Sequence, residues 1–523
     1  MNMKFLKKLT VVTLVGFVAV SCNKDLNVKP IVGTNPSNVY DNLTDISGVM
    51  AKVYGGLTLS GSTATTCDLG SYDAGTSVLY RIFWYGEEMS ADQVKMSWND
   101  GNLPDLCTDT WTPDNDKLHL LYDRAFYQIS VCNEFLRNLP ASKVNSFSSS
   151  DAATIKNYVA EARFIRALTY WMAMDCFGNI PFATEASSVG TTPPKQATRQ
   201  QVYNYIVSEL YSIQSDLLAP ASNYGRADQA CAWYLLAKVY LNAKVYTGTA
   251  HYDSAAYFCQ KIMNAGYTLA PNYANLFRID NQTTSKQEII FPLRANGVTS
   301  QSYGNSTFLI CASIGGVNHT DSNVTSVAGT SGAWAGYRAT PNLDALFPNL
   351  YTTSDVRGRM IDSEGQTMQM TTLLNYPSGY SINKFRNVSS TGTPGSNLTF
   401  ADLDIPFFRL ADVYLMYAEA SLQNGDGADA STYVNKVRER AGAPDMTNVT
   451  LDSVLAERGR ELYCEGTRRT DLIRFGYFTG GTYLWPWKGG AANGEAIDAH
   501  LNLYPLPTTD LATNPNLKQN TGY

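Results

Sequence analysis

Two stretches of this chain, 226–266 and 408–442, carry the same device, and it limits the fold more than any other feature. In the first, Trp233, Leu236, Ala237 and Tyr240 recur at three- and four-residue steps. Tyr252, Ala255, Ala256, Cys259 and Ile262 then do the same before Gly266. In the second, Leu410, Ala411, Tyr414, Tyr417 and Ala418 precede a Gly425-Asp426-Gly427 turn, and Ala430, Tyr433, Val434 and Val437 lead to Gly442. Such spacing puts apolar side chains on one stripe of a helix. A lone helical hairpin cannot bury that stripe, so hairpins must stack on neighbours. A third stripe (Ile155, Tyr158, Val159, Ala162, Ile165, Leu168 and Met172) predicts a helix over 152–177 that stops at Gly178-Asn179, with Pro181 behind. A mostly α fold follows.

Small residues at the crossing points, and a hairpin length near 34 residues, resemble tetratricopeptide units, which act as scaffolds. Between 296 and 404 the texture changes. Ser, Thr, Gly and Asn rise, helical periodicity disappears, and Tyr303, Trp334, Tyr337, Tyr376 and Tyr380 stand singly among them. That is the composition of loops and short strands laid on a scaffold, where binding sites tend to lie.

The start of the chain reads as a leader. Lys4, Lys7 and Lys8 precede an apolar run from Leu9 to Val20, too short to span a bilayer comfortably. The ending Val18-Ala19-Val20-Ser21-Cys22 resembles a bacterial lipobox, which implies cleavage before Cys22 and its acylation, a durable membrane anchor when more than one chain is attached. Residues 22–40 read as a polar tether. The formal charge is −6, and losing the leader's three lysines takes it to −9. With no long basic run, nucleic acid is a poor partner. The eight cysteines beyond Cys22 form no C-x-x-C pair and lie near no histidine at zinc-ligand spacing. Buried free thiols are the favoured reading, with one or two disulfides, involving Cys67 and Cys107, as the alternative.

Residues 504–523, YPLPTTDLATNPNLKQNTGY, resemble the closing signature of SusD/RagB-type outer-membrane nutrient-binding lipoproteins. EARFIRALTYWMAMDCFGNIPF (161–182), DIPFFRLADVYLMYAEA (404–420) and ERGRELYCEGTRRTDLIRFG (457–476) agree with it in collinear order. The resemblance implies about four tetratricopeptide-like units cradling a loop-rich region. It divides the chain into a leader (1–21), a tether (22–40), an N-terminal helical region (41–295), a loop-rich glycan-binding region (296–404) and a C-terminal region (405–523). It also implies docking on a SusC-like TonB-dependent outer-membrane transporter. SYGNSTFLICAS (302–313), TSGAWAGYRA (330–339) and TYLWPWKGGAANG (482–494) resemble the family's starch-binding founding member more than the family at large. By local matching, that resemblance puts α-glucan contacts on Tyr303, Trp334, Trp98 and Arg81. Asn102 and Asp100 compete for one further contact in the loop WNDGNLP (98–104).

The chemistry suits a sugar. An indole or phenol packs on the C–H face of glucose, removing area from water at roughly 25 cal/mol per Å². Arg81 and an amide or carboxylate would hold the hydroxyl rim. Trp98 and Trp334 sit in Gly/Asn/Ser-rich loops rather than in helical stripes, which favours platforms over core. Glu465 and Arg469 (i,i+4) and Asp471 and Arg474 (i,i+3) read as pairs along a charge-laced structural helix. Glu87, Glu88 and Asp92 read as solvated carboxylates. The four histidines (His119, His251, His319 and His500) are scattered, and no nucleophile, zinc or phosphate-loop motif occurs. The expectation is a non-catalytic, surface-exposed starch or malto-oligosaccharide binder with no cofactor and no metal ligands; a structural calcium is not readable. The alternatives are a binder of fructan or β-glucan, or a helical clamp on the transporter with no sugar site.

Overall fold

A computed structural model describes residues 38–70, 72–190, 192–315, 327–350, 352–362 and 365–523. The leader, Cys22 and most of the tether lie outside the described residues. The chain divides into two compact units, one ending at Val49 and the other running from Met50 to Tyr523. Helix α1 (Leu43–Gly55) begins in the first and ends in the second.

The second unit continues with α2 (Leu79–Trp84), β1 (Val94–Met96), α3 (Leu103–Thr108), α4 (Asp116–Asn138) and α5 (Ser149–Phe177). Next come α6 (Arg199–Ile213), α7 (Gln229–Leu241), α8 (Tyr252–Met263), β2 (Ile289–Leu293), α9 (Ser306–Cys311) and β3 (Tyr337–Ala339). The last elements are β4 (Ile405–Arg409), α10 (Leu410–Gln423), α11 (Gly427–Arg440), α12 (Leu451–Leu462), α13 (Arg468–Phe475) and α14 (Thr508–Thr513), with shorter turns between them. The protein is mostly helical. Helix α4 packs on α5, α5 on α6, α6 on α7, α7 on α8, α8 on α10, and α10 on both α11 and α12. Each helix buries its stripe against the next. In the last hairpin Ala411, Leu415 and Ala418 interlock with Ala430, Val434 and Val437, all fully buried.

Several local expectations are corrected. The second hairpin starts at Leu410, because Phe408 and Arg409 belong to β4, paired antiparallel with β2. The first hairpin's leading helix ends at Leu241 and a short helix, Ala243–Thr247, follows. Helix α5 is capped by the Ser148 hydroxyl and stops at Gly178. From Ala160 to Phe177 it is buried all round apart from half-exposed Arg163, a wider contact than one stripe predicts. The 296–404 region contains a helix, α9, and Tyr337 and Tyr376 are core residues.

The charged block is two helices broken at Tyr463–Thr467, where Cys464 has φ 63°. Asp471 and Arg474 do pair, at 2.8 Å. Glu465 instead binds Arg409 (2.7 Å) and Lys384 (2.6 Å), while Arg469 lies 4.1 Å from the Tyr504 ring centroid. This block meets a buried ion network. Arg409 reaches Glu288 (3.1 Å) and Glu461 (2.5 Å); Arg357 reaches Asp355 (2.7 Å), Glu457 (2.8 Å) and Glu461 (2.9 Å); Arg440 reaches Glu288 (2.8 Å). Burial alone would raise the Glu461 carboxyl, but Arg440, Arg409 and Arg357 outweigh it and hold the group well below the usual carboxylate range.

Candidate functional site

The two strands β1 and β3 position the site. They pair antiparallel with Val94 opposite Ala339 and Met96 opposite Tyr337. That register lays the chain leaving β1 beside the chain entering β3. Ser97 N donates to Gly336 O at 3.0 Å, Trp98 Nε1 to Trp334 O at 2.9 Å, and Trp334 N to Cys311 O at 2.7 Å. A Cβ on Gly336 would stand 2.9 Å from Trp98 Cζ2, so only glycine lets the indole lie here. The third segment is set by α9, whose amide at Thr307 donates to the Asn305 side chain. This cap fixes the turn that holds Tyr303.

The result is three half-buried rings in succession. Trp98 and Trp334 have centroids 6.4 Å apart with planes at 45°, and Trp334 and Tyr303 lie 6.3 Å apart at 49°. Phe400 backs Tyr303 at 4.8 Å. Arg81 is buried beneath them, its guanidinium 4.5 Å from the Phe308 centroid and 5.6 Å from that of Trp98. Its Nε and Nη2 donate to the Tyr85 hydroxyl at 2.9 and 2.7 Å, and Nη1 donates to Tyr303 O at 3.3 Å. A guanidinium has five N–H donors, so two remain for a ligand.

The cleft above this group measures about 1050 Å³. Arg81, Trp98, Tyr303, Trp334 and Asp100 line it; Asn102 does not. Asn102 is exposed at the start of α3, where its amide donates to Asp116 (3.0 Å) and its carbonyl accepts from Asn115 (3.0 Å). Reading the sequence missed Asp73, Asn99, Tyr72 and Lys117, which also line the cleft. Burial would raise the Asp73 carboxyl, but the Thr76 amide and hydroxyl, and then Arg81, hold it below its ordinary value. Tyr85 was missed too, although its i,i+4 spacing from Arg81 in a helical run was a usable signal.

Glu87, Glu88 and Asp92 are not solvated; all three are buried. Glu88 Oε1 accepts from the amides of Gly466 (2.7 Å) and Thr467 (3.2 Å), Glu87 Oε2 from the Thr470 amide (3.0 Å) and hydroxyl (2.8 Å), and Asp92 binds Arg468 at 2.7 Å. They tie the α2 segment to α13. Burial pushes Glu88 up to about 7 despite those amides. The eight cysteines of the described residues are free thiols, which removes the Cys67–Cys107 bridge. Among the described residues no helix is long and apolar enough to cross a membrane.

Comparison with known proteins gives the family of the chain. A sequence profile described as the SusD family matches residues 365–523, and one described as starch-binding, associating with the outer membrane, matches 69–241. The chain is 33% identical, over the full length of both proteins, to the starch-binding protein SusD of Bacteroides thetaiotaomicron. Among solved structures, surface glycan-binding protein A of Bacteroides uniformis superposes with a TM-score of 0.68 at 21% identity, covering 92% of this chain and 99% of that one. A laminarin-binding SusD-like protein gives a TM-score of 0.68 at 22% identity with the same coverage. The chain belongs to the SusD family, whose members are carbohydrate-binding proteins rather than enzymes.

Proposed function

We propose that the cleft formed by Trp98, Trp334, Tyr303, Arg81 and Asp100 captures starch or malto-oligosaccharides. In this reading the protein, anchored at the cell surface of the outer membrane through acylated Cys22, delivers them to a SusC-like TonB-dependent transporter. The observation that carries the reading is the set of three half-buried rings, each inclined by 45–49° to the next around a buried arginine. No two successive faces are coplanar, so a flat ribbon of sugar cannot stack on all three, whereas a coiled α-glucan turns its successive apolar faces. Each stacked glucose removes C–H surface from water, and Arg81 and Asp100 meet the hydroxyl rim. The likeness to the starch-binding relative supports the same ligand class.

Affinity electrophoresis in gels carrying amylopectin, laminarin or inulin tests the proposal. The expected result is selective retardation by amylopectin. Trp98→Ala and Trp334→Ala should each weaken it by about 1–3 kcal/mol with little change in Tm. Retardation by laminarin or inulin instead would reassign the sugar, and retardation by none would leave a helical clamp without its own sugar site. A large drop in Tm would return the two rings to the core.

A further inference from the structure

The C-terminal helix α14 brings Asp510 to a face of α4 that carries His119 and Asp123 one turn apart. His119 Nε2 lies 3.4 Å from Asp123 Oδ2 and 3.4 Å from Asp510 Oδ2, and the three donor atoms fall within 4.8 Å of one another. All three side chains are 28% exposed, so the group is reachable from solvent. An imidazole nitrogen carries at most one hydrogen, aimed along one line. It cannot donate to two carboxylates at once, and Thr509 Oγ1 competes for the same nitrogen at 3.2 Å. A separation of 3.4 Å is also long for an N–H···O bond.

The same separation is natural for two ligands of one tetrahedral metal ion. With zinc–ligand bonds of about 2.0–2.2 Å, neighbouring donors stand roughly 3.3–3.6 Å apart. The surroundings are built to match. Tyr72 Oη donates to Asp123 Oδ2 at 3.0 Å, and its ring meets the His119 ring edge-on at 6.4 Å, so both the carboxylate and the imidazole plane are held. Two carboxylates around one imidazole leave net negative charge even when the histidine is protonated. A dication offsets that charge.

We propose that His119, Asp123 and Asp510 form a binding site for a zinc-type divalent transition metal, with water completing the tetrahedron. Such an ion would clamp the C-terminal segment onto α4. The inference does not depend on the glucan reading. Sequence spacing hid the site because Asp510 lies at the far end of the chain from the other two ligands.

Chelator-treated full chain titrated with Zn(II) by calorimetry, and with Co(II) by visible absorption, tests this. The expected result is one equivalent bound with micromolar or tighter affinity, the intense visible bands of four-coordinate cobalt, and a zinc-dependent rise in Tm. His119→Ala and Asp510→Asn should each weaken binding by about tenfold or more and abolish the Tm rise, while His251→Ala behaves as wild type. Circular dichroism of the metal-free variants keeps misfolding distinguishable. Millimolar binding, a six-coordinate cobalt spectrum, or stoichiometric binding that survives His119→Ala would overturn the proposal and leave a protonated histidine between two carboxylates.

Discussion

Tyr85 does not line the cleft, yet its hydroxyl accepts from two nitrogens of Arg81 and so sets how the guanidinium is aimed. Arginine is useful at a sugar rim only if its planar fork is held in advance, because an untethered one loses rotamer freedom on binding. Tyr85→Phe removes this tether and leaves the rings of the platform in place. It should weaken binding of a linear malto-oligosaccharide by about 1 kcal/mol, the cost of ordering one long side chain on binding, as read by calorimetry. Asn102→Ala, outside the cleft, should leave binding unchanged in the same assay. Tyr85 is thus a positioning residue.

At the scale of elements, the frame is locked by charges as well as by apolar stripes. Arg409 ends β4 and joins Glu288 of the turn before β2 to Glu461 of α12 and Glu465 beyond it. Removing Arg409 leaves Glu288, Glu461 and Glu465 with fewer compensating cations, though Arg440, Arg357 and Lys384 still reach them; the loss of a buried network member costs up to about 3–5 kcal/mol. Arg409→Met should lower unfolding stability by that amount in urea at pH 7. The pH dependence has a definite sign. Glu461 is held below its unfolded value, so its contribution is full above about pH 4.3 and is lost as pH falls below it. Arg409→Met lessens the depression, so the variant should lose less stability than wild type between pH 5 and pH 3.

At the scale of the whole molecule, a chain with eight cysteines and no disulfide among its described residues shelters most of its thiols. Seven of the eight cysteines are buried and Cys67 is half-buried, donating to the Ser77 hydroxyl at 3.1 Å. With Cys22→Ser in place, a thiol reagent should titrate Cys67 alone in the native protein and all eight remaining cysteines in denaturant. Faster reaction at Cys107 or Cys464 would contradict this packing. The stacked helices were legible because burial on a helix demands a three- to four-residue period, as at Ile155–Met172 and Ala430–Val437. Strands of two to five residues carry no such period, so the β1–β3 pair that places Trp98 beside Trp334 was invisible. Buried charges failed for a related reason. Glu87, Glu88 and Asp92 look solvated alone, and only the fold supplies the amides and Arg468 that hold them. The ring residues were reachable by resemblance, whereas choosing Asp100 over Asn102 as a cleft residue needed the shape of the 98–104 loop.

The brace between the Trp98 indole, the Trp334 carbonyl and the Cys311 carbonyl has a consequence for timing. Rings braced by hydrogen bonds to backbone carbonyls have less freedom left to lose when a ligand packs on them. In the proposed reading, how long a polymer stays is set by the number of sugar units engaged at any instant. One unit could let go while its neighbours hold, so a long chain could creep across the surface without ever being fully released.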